Sequence, residues 1–545
     1  MFTRRVALVL AAAALLTAQK PEPLPNGYAL PNGWRITPVG RSVPTEDMVL
    51  HVSPAPDGKA VVALHAGFNP HGLVVINPST EEVSQRVGLK SAWLGLAWHP
   101  SGKKLYVSGG NANGRKPTAA PVYEFGYSEG KLSEQPTAEL VDAQTDMARI
   151  LWSGLAHHPK KDILYAANRG TETTAPGHVV LFDSKTGKLQ KRIQVEVNPY
   201  DLVLAPDGKT LFVSNWASDS VSVIDTEEER VVGTIPVGDN PNDMELSKDG
   251  RLFVSCANDN SVVVIDAKTR VPVERISTAL TLQSPEGSTP NALTLDRENA
   301  MLFVANADNN NVAVVNVKQT GKSEVLGFIP AGWYPSAVAV IGTKTPKLYI
   351  GNSKGLGGYA NPRGPHSPLA KDGSKEGLGS VKSLQKGSVQ FVALANLRNE
   401  LKGWTKQVYD NVPYKDEYLA RAKAPQTESV IPREVGAGSP IKHVIYIIRE
   451  NRTYDQVLGD MPKGNGDPRI TIFGKAVTPN AHALSDQFVL FDNLYCDGEV
   501  SVDGHSWSNS AYATDFNEKL WPITYGGHSK AAPSLAFLPG AGSMW

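Results

Sequence analysis

Acidic, amide and hydroxyl side chains that could bind a metal and a phosphate group lie in two segments near the C-terminus. The first segment, residues 441–460, carries Glu450 and Asn451 just after a short apolar stretch and one arginine. The second segment, residues 488–508, contains five residues that could do chemistry: Asp497, Glu499, Ser501, Asp503 and His505. Adjacent carboxylate and amide oxygens can ligate a divalent cation. A serine hydroxyl is a weak nucleophile until a base or a metal activates it, and the density of carboxylates favours a metal.

Two strands must position these side chains. The apolar run 443–448 is too short for a helix and is bounded by charge, which is typical of a buried strand of an α/β sheet. Glu450 and Asn451 would then stand at its C-terminal end, where the ligand sites of open α/β sheets collect. A second strand beginning at Phe488 would end in the loop that holds Ser501 and His505.

Other roles for these residues remain open at the level of the sequence. Ser506 or Ser508 could replace Ser501 as the nucleophile, and His505 could be a packed loop residue. Segment 450–455 alone could be a strand-end turn in which the asparagine caps a helix.

Most of the chain before these segments is a repeat. Apolar strands recur seven times, beginning at Val61, Leu105, Leu164, Leu211, Leu252, Leu302 and Leu348. A second strand follows each of them, and turns such as 206–208 and 247–250 carry a glycine suited to a positive φ. Residue pairs 198–199 and 240–241, both Asn-Pro, lead into further strands. This count and spacing predict an all-β seven-bladed propeller over residues 45–400, in preference to a sandwich or an open solenoid.

The repeats resemble the YVTN-type β-propeller repeats of exported and surface-layer-like bacterial proteins, which are related to the propellers of quinoprotein amine dehydrogenases. The sequences LFVSN from Leu211 and SVSVID from Ser220 carry this resemblance. It is informative about the fold and says little about function, because propellers host many activities. An electron-transfer role is disfavoured because the chain contains no C-x-x-C-H haem motif.

The C-terminal segments resemble the phosphoesterase family of the alkaline phosphatase superfamily, which includes bacterial phospholipases C and acid phosphatases. Residues 441–455 match the family's first motif, an I-K-H-V strand leading into E-N-R-[ST]-[FY]-D. The resemblance implies that Glu450 and Asn451 are metal ligands and that Ser501 is the nucleophile, with His505 at the phosphate or metal. The cofactor would be a divalent metal ion of unknown identity. Residues 500–505 depart from the family's usual G-P-T-x-P-N-R motif.

This resemblance determines the domain boundaries that we expect after the propeller. Residues 401–440 would be a linker, and residues 441–545 the N-terminal part of a phosphoesterase domain. The family completes its metal site with Asp and His residues far downstream, and the sequence ends at Trp545. We therefore expect an incomplete α/β (alkaline phosphatase-like) domain after the propeller.

The N-terminus and the composition restrict location and partners. Arg4 and Arg5 precede a short apolar run, which predicts a signal peptide over residues 1–18 and an exported protein, periplasmic or extracellular. The chain has 54 basic and 54 acidic residues, so nucleic acid is not an expected partner. We expect no transmembrane segment. The two cysteines, Cys256 and Cys496, could form a disulfide, but two buried thiols are favoured. Segment 353–386, rich in Gly, Pro, Ser and Lys, could be a lid or a passive loop.

Two classes of function follow. The first is a hydrolase of small-molecule or lipid phosphate esters, with the propeller as a scaffold. The second is a propeller that binds a protein or cell-surface partner, with an inert C-terminal segment.

Overall fold

The part of the chain that the structure describes contains thirty-two strands and six α-helices. The computed structural model describes residues 22–30, 33–110, 120–146, 149–170, 174–296, 300–342, 345–355, 381–412, 414, 430–431, 438–494, 496, 498–528 and 539. The predicted signal peptide and most of segment 353–386 lie outside these residues. None of the described helices is both long and apolar enough to cross a membrane.

Seven antiparallel sheets, numbered here as blades one to seven, form the propeller. Blade one comprises Val49–Pro54, Val61–His65, His71–Asn77 and Glu82–Leu89. Blade two comprises Leu96–Trp98, Lys104–Ser108, Val122–Ser128, Lys131–Leu132 and Ala138–Leu140. Blade three comprises Trp152–His157, Ile163–Asn168, Pro176–Asp183 and Leu189–Val197. Blades four and five comprise Pro199–Leu204, Thr210–Asn215, Ser220–Asp225 and Arg230–Pro236; and Pro241–Leu246, Arg251–Cys256, Ser261–Asp266 and Val271–Ser277. Blades six and seven comprise Pro290–Asp296, Met301–Asn306, Asn311–Asn316 and Glu324–Pro330; and Pro335–Ile341, Lys347–Asn352, Ser388–Ala393 and Arg41–Pro44. The predicted seven-bladed propeller is confirmed.

The apolar repeat strands are the second strands of the blades. In blade five, for example, every residue of Arg251–Cys256 is buried. Such a strand is apolar on both faces because each blade packs between two neighbours. The turns that precede these strands contain the predicted left-handed glycines, including Gly208 with a φ of 81° and Gly250 with a φ of 85°.

An N-terminal strand closes the ring. Arg41–Pro44 is the outermost strand of blade seven and pairs with Ser388–Ala393, with Val43 opposite Val389. A three-stranded sheet of Glu22–Leu24, Gly27–Ala29 and Arg35–Ile36 precedes it. Blade seven therefore combines strands from both ends of the propeller sequence.

Polar side chains join neighbouring blades around the central channel. The hydroxyl of Ser214 in blade four donates to the carbonyl of Asn242 in blade five over 2.7 Å. The Asp243 carboxylate accepts from the backbone N–H of Leu293 in blade six over 2.7 Å. The inner strands surround a cavity of about 550 Å³.

The helices are Val381–Leu384, Leu397–Asn411, Tyr454–Leu458, Pro479–Gln487, Ser501–Ser510 and Asp515–Tyr525, with a 3₁₀ turn at Pro468–Ile470. Leu397–Asn411, at the start of the predicted linker, packs on blade six through Leu401 and Thr405, whose hydroxyl accepts from the Phe328 N–H over 2.9 Å. Ser501–Ser510 is called the site helix below, and Asp515–Tyr525 the plug helix.

The predicted strands of the α/β domain are absent from the described residues. Residues 443–448 and 488–494 form no β-ladder there, and Val444 is 82% exposed and Ile445 88% exposed. A buried strand needs hydrogen-bonded neighbours on its edges, and these segments have none among the described strands. The strand predictions are thus wrong for this part of the chain, and an alkaline phosphatase-like domain is not confirmed.

The two cysteines behave differently. Cys256 is buried in blade five, where burial raises the pKa of its thiol, whereas Cys496 is exposed; both thiols are free. The expectation of two buried thiols is therefore correct for Cys256 and wrong for Cys496.

Candidate functional site

Ser501 is the first residue of the site helix, and it is exposed. The first backbone N–H groups of a helix have no partner within the helix, so an anion near Ser501 would meet donors as well as the helix dipole. Ser506 is buried and donates to the Val502 carbonyl, and the Ser508 hydroxyl donates to the Gly504 carbonyl over 2.7 Å. Among these three serines, Ser501 is the one at the helix start.

His505 lies one helical turn after Ser501, on the same face of the helix. Its Nε2 atom is 2.6 Å from Oε2 of Glu450, and the two side chains are about half exposed. The structure thus brings together two predicted site residues that are 55 positions apart. No ladder between the predicted strands is needed for this contact.

Asn451 is adjacent to this pair. Its Nδ2 donates to Oε1 of Glu450 over 2.8 Å, and its backbone is left-handed, with a φ of 62°. Asparagine tolerates this conformation better than most residues. The next residues begin the short helix Tyr454–Leu458, capped by Thr453, whose N–H donates to Gln456.

A lysine from the propeller contacts the loop before Ser501. Lys354, which follows blade seven's second strand, lies 2.9 Å from Glu499 and 3.0 Å from Glu518 of the plug helix. All three side chains are at least nine-tenths buried. Asp503 accepts from the N–H groups of Glu499 and Val500 over 2.7 and 2.8 Å, so it fixes the start of the site helix.

Burial and repulsion between neighbouring carboxylates determine which of these carboxyl groups are ionised. Burial and the nearby Glu499 carboxylate raise the pKa of Asp503 to about 7. Burial also raises the pKa of Glu518 to about 8, against the opposing effect of Lys354. Although burial disfavours its ionised form, Glu499 has a lowered pKa because of the Lys354 ammonium group. We therefore assign the negative charge beside Lys354 chiefly to Glu499.

The plug helix occupies one mouth of the propeller channel. Asp515 is fully buried and accepts from the side chains of Asn291 at 2.5 Å and Tyr334 at 2.8 Å. Lys519 lies 3.0 Å from Asp515 and also donates to Asn291 and to the hydroxyl of Tyr200. Burial lowers the pKa of Lys519, and Asp515 opposes this shift.

Apolar side chains of the plug helix also attach this helix to the propeller. Phe516, Leu520 and Ile523 belong to the same core cluster as Trp93 and Trp216 of the propeller. The site helix is thereby connected to the propeller by a second helix that is buried along most of its length.

Two groups of residues could hold a metal. Glu450 and Asn451 offer carboxylate and amide oxygens beside His505, a donor set that suits a divalent cation. Glu499, Asp503 and Glu518 also have carboxylate oxygens within 4.8 Å of one another. In that second group the Lys354 ammonium already supplies a cation, so the Glu450–Asn451 pair fits the predicted metal better.

The sequence did not point to Lys354, Asp515, Glu518 or Lys519. One weak signal was present, because the repeated Asn-Pro pairs precede Tyr200 and Asn242, which contact the plug helix. Nothing in the repeat itself indicates that the channel mouth receives a segment from the C-terminal part of the same chain.

Comparisons with known proteins bear on the propeller. A family model described as "Choice-of-anchor I domain" matches residues 98–333, which extend from blade two to blade six. Among solved structures, the Kuenenia stuttgartiensis hydrazine synthase is 18% identical and has a TM-score of 0.46, covering 56% of this chain and 92% of that one. A structure of U3-55K is 12% identical with a TM-score of 0.47, covering 64% and 98% of the two chains. The RRP9 WD40 repeats are 12% identical with a TM-score of 0.48, covering 64% and 97%. The choice-of-anchor match thus falls on the propeller and ends before the site helix.

Proposed function

We propose that this protein is an exported metal-dependent hydrolase of phosphate esters, whose C-terminal segment carries the chemistry and whose propeller is its scaffold and binding module. The contact between His505 and Glu450 is the observation that carries this proposal, because it joins the two segments that resemble the phosphoesterase family. The choice-of-anchor match of the propeller favours a surface or secreted protein.

Ser501 would attack the phosphorus atom of the ester. A bond forms between Ser501 Oγ and phosphorus while the bond from phosphorus to the alcohol oxygen breaks, and the alcohol leaves with a proton. Water then hydrolyses the phosphoserine and releases inorganic phosphate. The N–H groups at the start of the site helix would stabilise the negative phosphoryl oxygens.

Glu450 and Asn451 would hold the divalent metal, which lowers the pKa of a nearby hydroxyl and neutralises phosphate charge when it is bound. His505 would orient Glu450 through the observed contact and would face the phosphate from the same side of the helix as Ser501. Asp503 and Lys354 would keep Ser501 in place from the buried side.

Hydrolysis of an aryl phosphate tests this proposal. The assay uses the full gene product with Mn²⁺, Zn²⁺, Mg²⁺ or Ca²⁺ and follows the release of nitrophenol. We expect S501A to lose activity by about 10³-fold or more, because removal of a nucleophile disables the chemical step. S508A is the matched control, since Ser508 lies on the same exposed face and should be dispensable. Equal activity in S501A and the unmodified protein would contradict the nucleophile assignment.

A second candidate is a non-catalytic propeller that binds a protein or cell-surface partner. The exposed apolar segments 443–448 and 488–494 favour it, because a catalytic α/β domain would bury such residues in a sheet. This candidate predicts that no tested metal supports hydrolysis and that EDTA does not alter the protein's thermal stability.

A further inference from the structure

A cavity of about 380 Å³ lies where the site helix and the plug helix meet the loops of blades five to seven. Its volume falls within the range of small-molecule sites, about 300–1,000 Å³. Trp507 of the site helix lines it, two positions after His505 and therefore on a different face of that helix. None of the four predicted site residues lines this cavity, so it is separate from the proposed hydrolase site.

The wall of this cavity is rich in aromatic rings. Four half-buried aromatic side chains line it: Trp34, Trp333, Tyr414 and Trp507. The core tryptophans of the propeller differ, since Trp93, Trp152 and Trp216 are fully buried. A half-buried ring leaves part of its apolar surface in water, and a flat apolar group displaces that water when it stacks on the ring. The cavity is therefore suited to a ligand that has an apolar face.

Polar groups from two propeller loops line the same cavity. They are the hydroxyl, carboxyl and amide groups of Ser284, Glu286, Ser288, Asp308 and Asn309. Asn260 holds the first loop, because its Oδ1 accepts from the N–H groups of Gly287 over 3.1 Å and Ser288 over 2.7 Å. Its Nδ2 donates to the Pro285 carbonyl over 2.8 Å. This part of the wall is thus formed before any ligand binds, which lowers the entropy cost of binding.

Asp308 and Asn309 each keep an oxygen for a ligand. Oδ2 of Asp308 accepts from the Thr289 hydroxyl over 2.6 Å, and Nδ2 of Asn309 donates to Ser288 over 2.8 Å. Within the described part of the chain, Oδ1 of either residue makes no hydrogen bond, and both side chains are half-buried. Burial raises the pKa of Asp308 to about 6, so this carboxyl group is mainly ionised at neutral pH and is a strong acceptor for a hydroxyl.

The charges of the wall favour a neutral ligand. The Lys354 ammonium group also lines the cavity and lies 5.6 Å from the ring centroid of Trp333, so it would repel an organic cation stacked on that ring. The carboxylates of Glu286 and Asp308 would repel an anion. A neutral ligand with several hydroxyl groups can instead bond to hydroxyl, amide and carboxylate groups together.

We infer that this cavity binds a neutral carbohydrate, which stacks on Trp34 and Trp333 and donates its hydroxyl groups to Asp308. A pyranose ring combines an apolar C–H face with a rim of hydroxyl groups, and the cavity wall combines aromatic rings with hydrogen-bonding groups. The inference does not depend on the hydrolase proposal, because the cavity has its own residues.

Calorimetric titration of the full chain at neutral pH tests this site. The neutral probes are cellobiose, maltose, lactose and N,N′-diacetylchitobiose, and choline and acetate serve as a cationic and an anionic probe. We expect saturable binding of at least one disaccharide, tighter than that of either ion. W34A and W333A should each weaken it at least about 5-fold, and D308N about 10-fold, because they remove a stacking surface and a charged acceptor.

Matched variants make the result specific. W404A is the control, since Trp404 is also half-buried but lies on the helix Leu397–Asn411 and does not line the cavity, and it should bind the disaccharide normally. S501A should bind it normally as well. W333F keeps a smaller ring, so it should bind with intermediate affinity and serves if W333A does not fold. Three results would overturn the inference: no saturable binding of any disaccharide, tighter binding of choline or acetate, or a disaccharide affinity that W34A, W333A or W333F, and D308N leave unchanged.

Discussion

At the scale of single residues, Lys354 is predicted to contribute strongly to stability. It is the only cation paired with Glu499 and Glu518 among the described residues, and its side chain is 8% exposed. K354M would leave the ionised Glu499 carboxylate buried without a counter-ion, which costs about 3–5 kcal/mol. Urea unfolding at neutral pH measures this loss.

Lys386 provides the control for that variant. It pairs with Glu46 at the surface, where the two side chains are 44% and 50% exposed. K386M should change the free energy of unfolding by no more than about 1 kcal/mol. If K354M is as mild as K386M, the buried cluster does not depend on the lysine.

Glu518 should make stability depend on pH. Its folded-state pKa of about 8 is raised by burial above the ordinary value of an unfolded glutamate, about 4.3. Between these two values the folded state binds the proton that the unfolded state has lost, so stability falls as pH rises. E518Q cannot ionise, and we expect its unfolding free energy to decline less across this range.

Unfolding by urea at several pH values from about 5 to about 9 tests the Glu518 prediction. E518Q and the unmodified protein should be closest at the acidic end and should diverge towards the alkaline end, with E518Q the more stable. A parallel pH dependence of the two proteins would show that Glu518 is not the group responsible. E228Q provides a matched control, since Glu228 is a surface residue whose side chain is 53% exposed.

The residue scale also shows what local sequence could predict about the site. The motifs predict Glu450, Asn451, Ser501 and His505 as site residues, and the structure places His505 beside Glu450. Lys354 was not identified, because its importance depends on which parts of the ring meet the plug helix and the loop before the site helix. That information is contained in tertiary contacts between residues more than 100 positions apart.

At the scale of elements, the plug helix couples the C-terminal segment to the channel. Asp515 and Lys519 are one turn apart on this helix and both contact Asn291. D515N and K519M should each destabilise the protein by about 3–5 kcal/mol, because each leaves a buried partner unpaired. The double variant should cost less than the sum of the two, and a double-mutant cycle of unfolding free energies measures the difference. Strict additivity would mean that the pair does not act as a unit.

Secondary structure could be predicted where an element and its partners repeat within the sequence. The strands Thr210–Asn215 and Arg251–Cys256 are regular because each lies in a sheet whose other strands are close in the chain. The run 443–448 has the same apolar character, yet it is 88% exposed at Ile445 and forms no ladder among the described residues. A local pattern can predict that a segment suits a sheet, but the sheet also requires strands that pair with it.

At the scale of the whole molecule, ring closure explains why charged residues can be buried at the channel mouth. Asp515 and Lys519 contact polar groups from the first strands of blades four, five and six, and Asp515 also contacts Tyr334, which directly precedes the first strand of blade seven. No single blade could satisfy both ions. The closed propeller therefore provides the polar groups that hold the plug helix, and the plug helix in turn positions the site helix.

Ring closure itself depends on a short N-terminal strand. Four residue pairs join Arg41–Pro44 to Ser388–Ala393, and Val43 packs in the cluster that contains Val49 and Phe391. A chain that begins at residue 45 should leave Ser388–Ala393 as an open edge, which lowers the unfolding midpoint and promotes aggregation. A chain that begins at residue 38 lacks the preceding small sheet but keeps the closing strand, so it should remain monomeric. Thermal unfolding and size-exclusion chromatography of the two chains distinguish these outcomes, and equal behaviour would show that blade seven is stable with three strands.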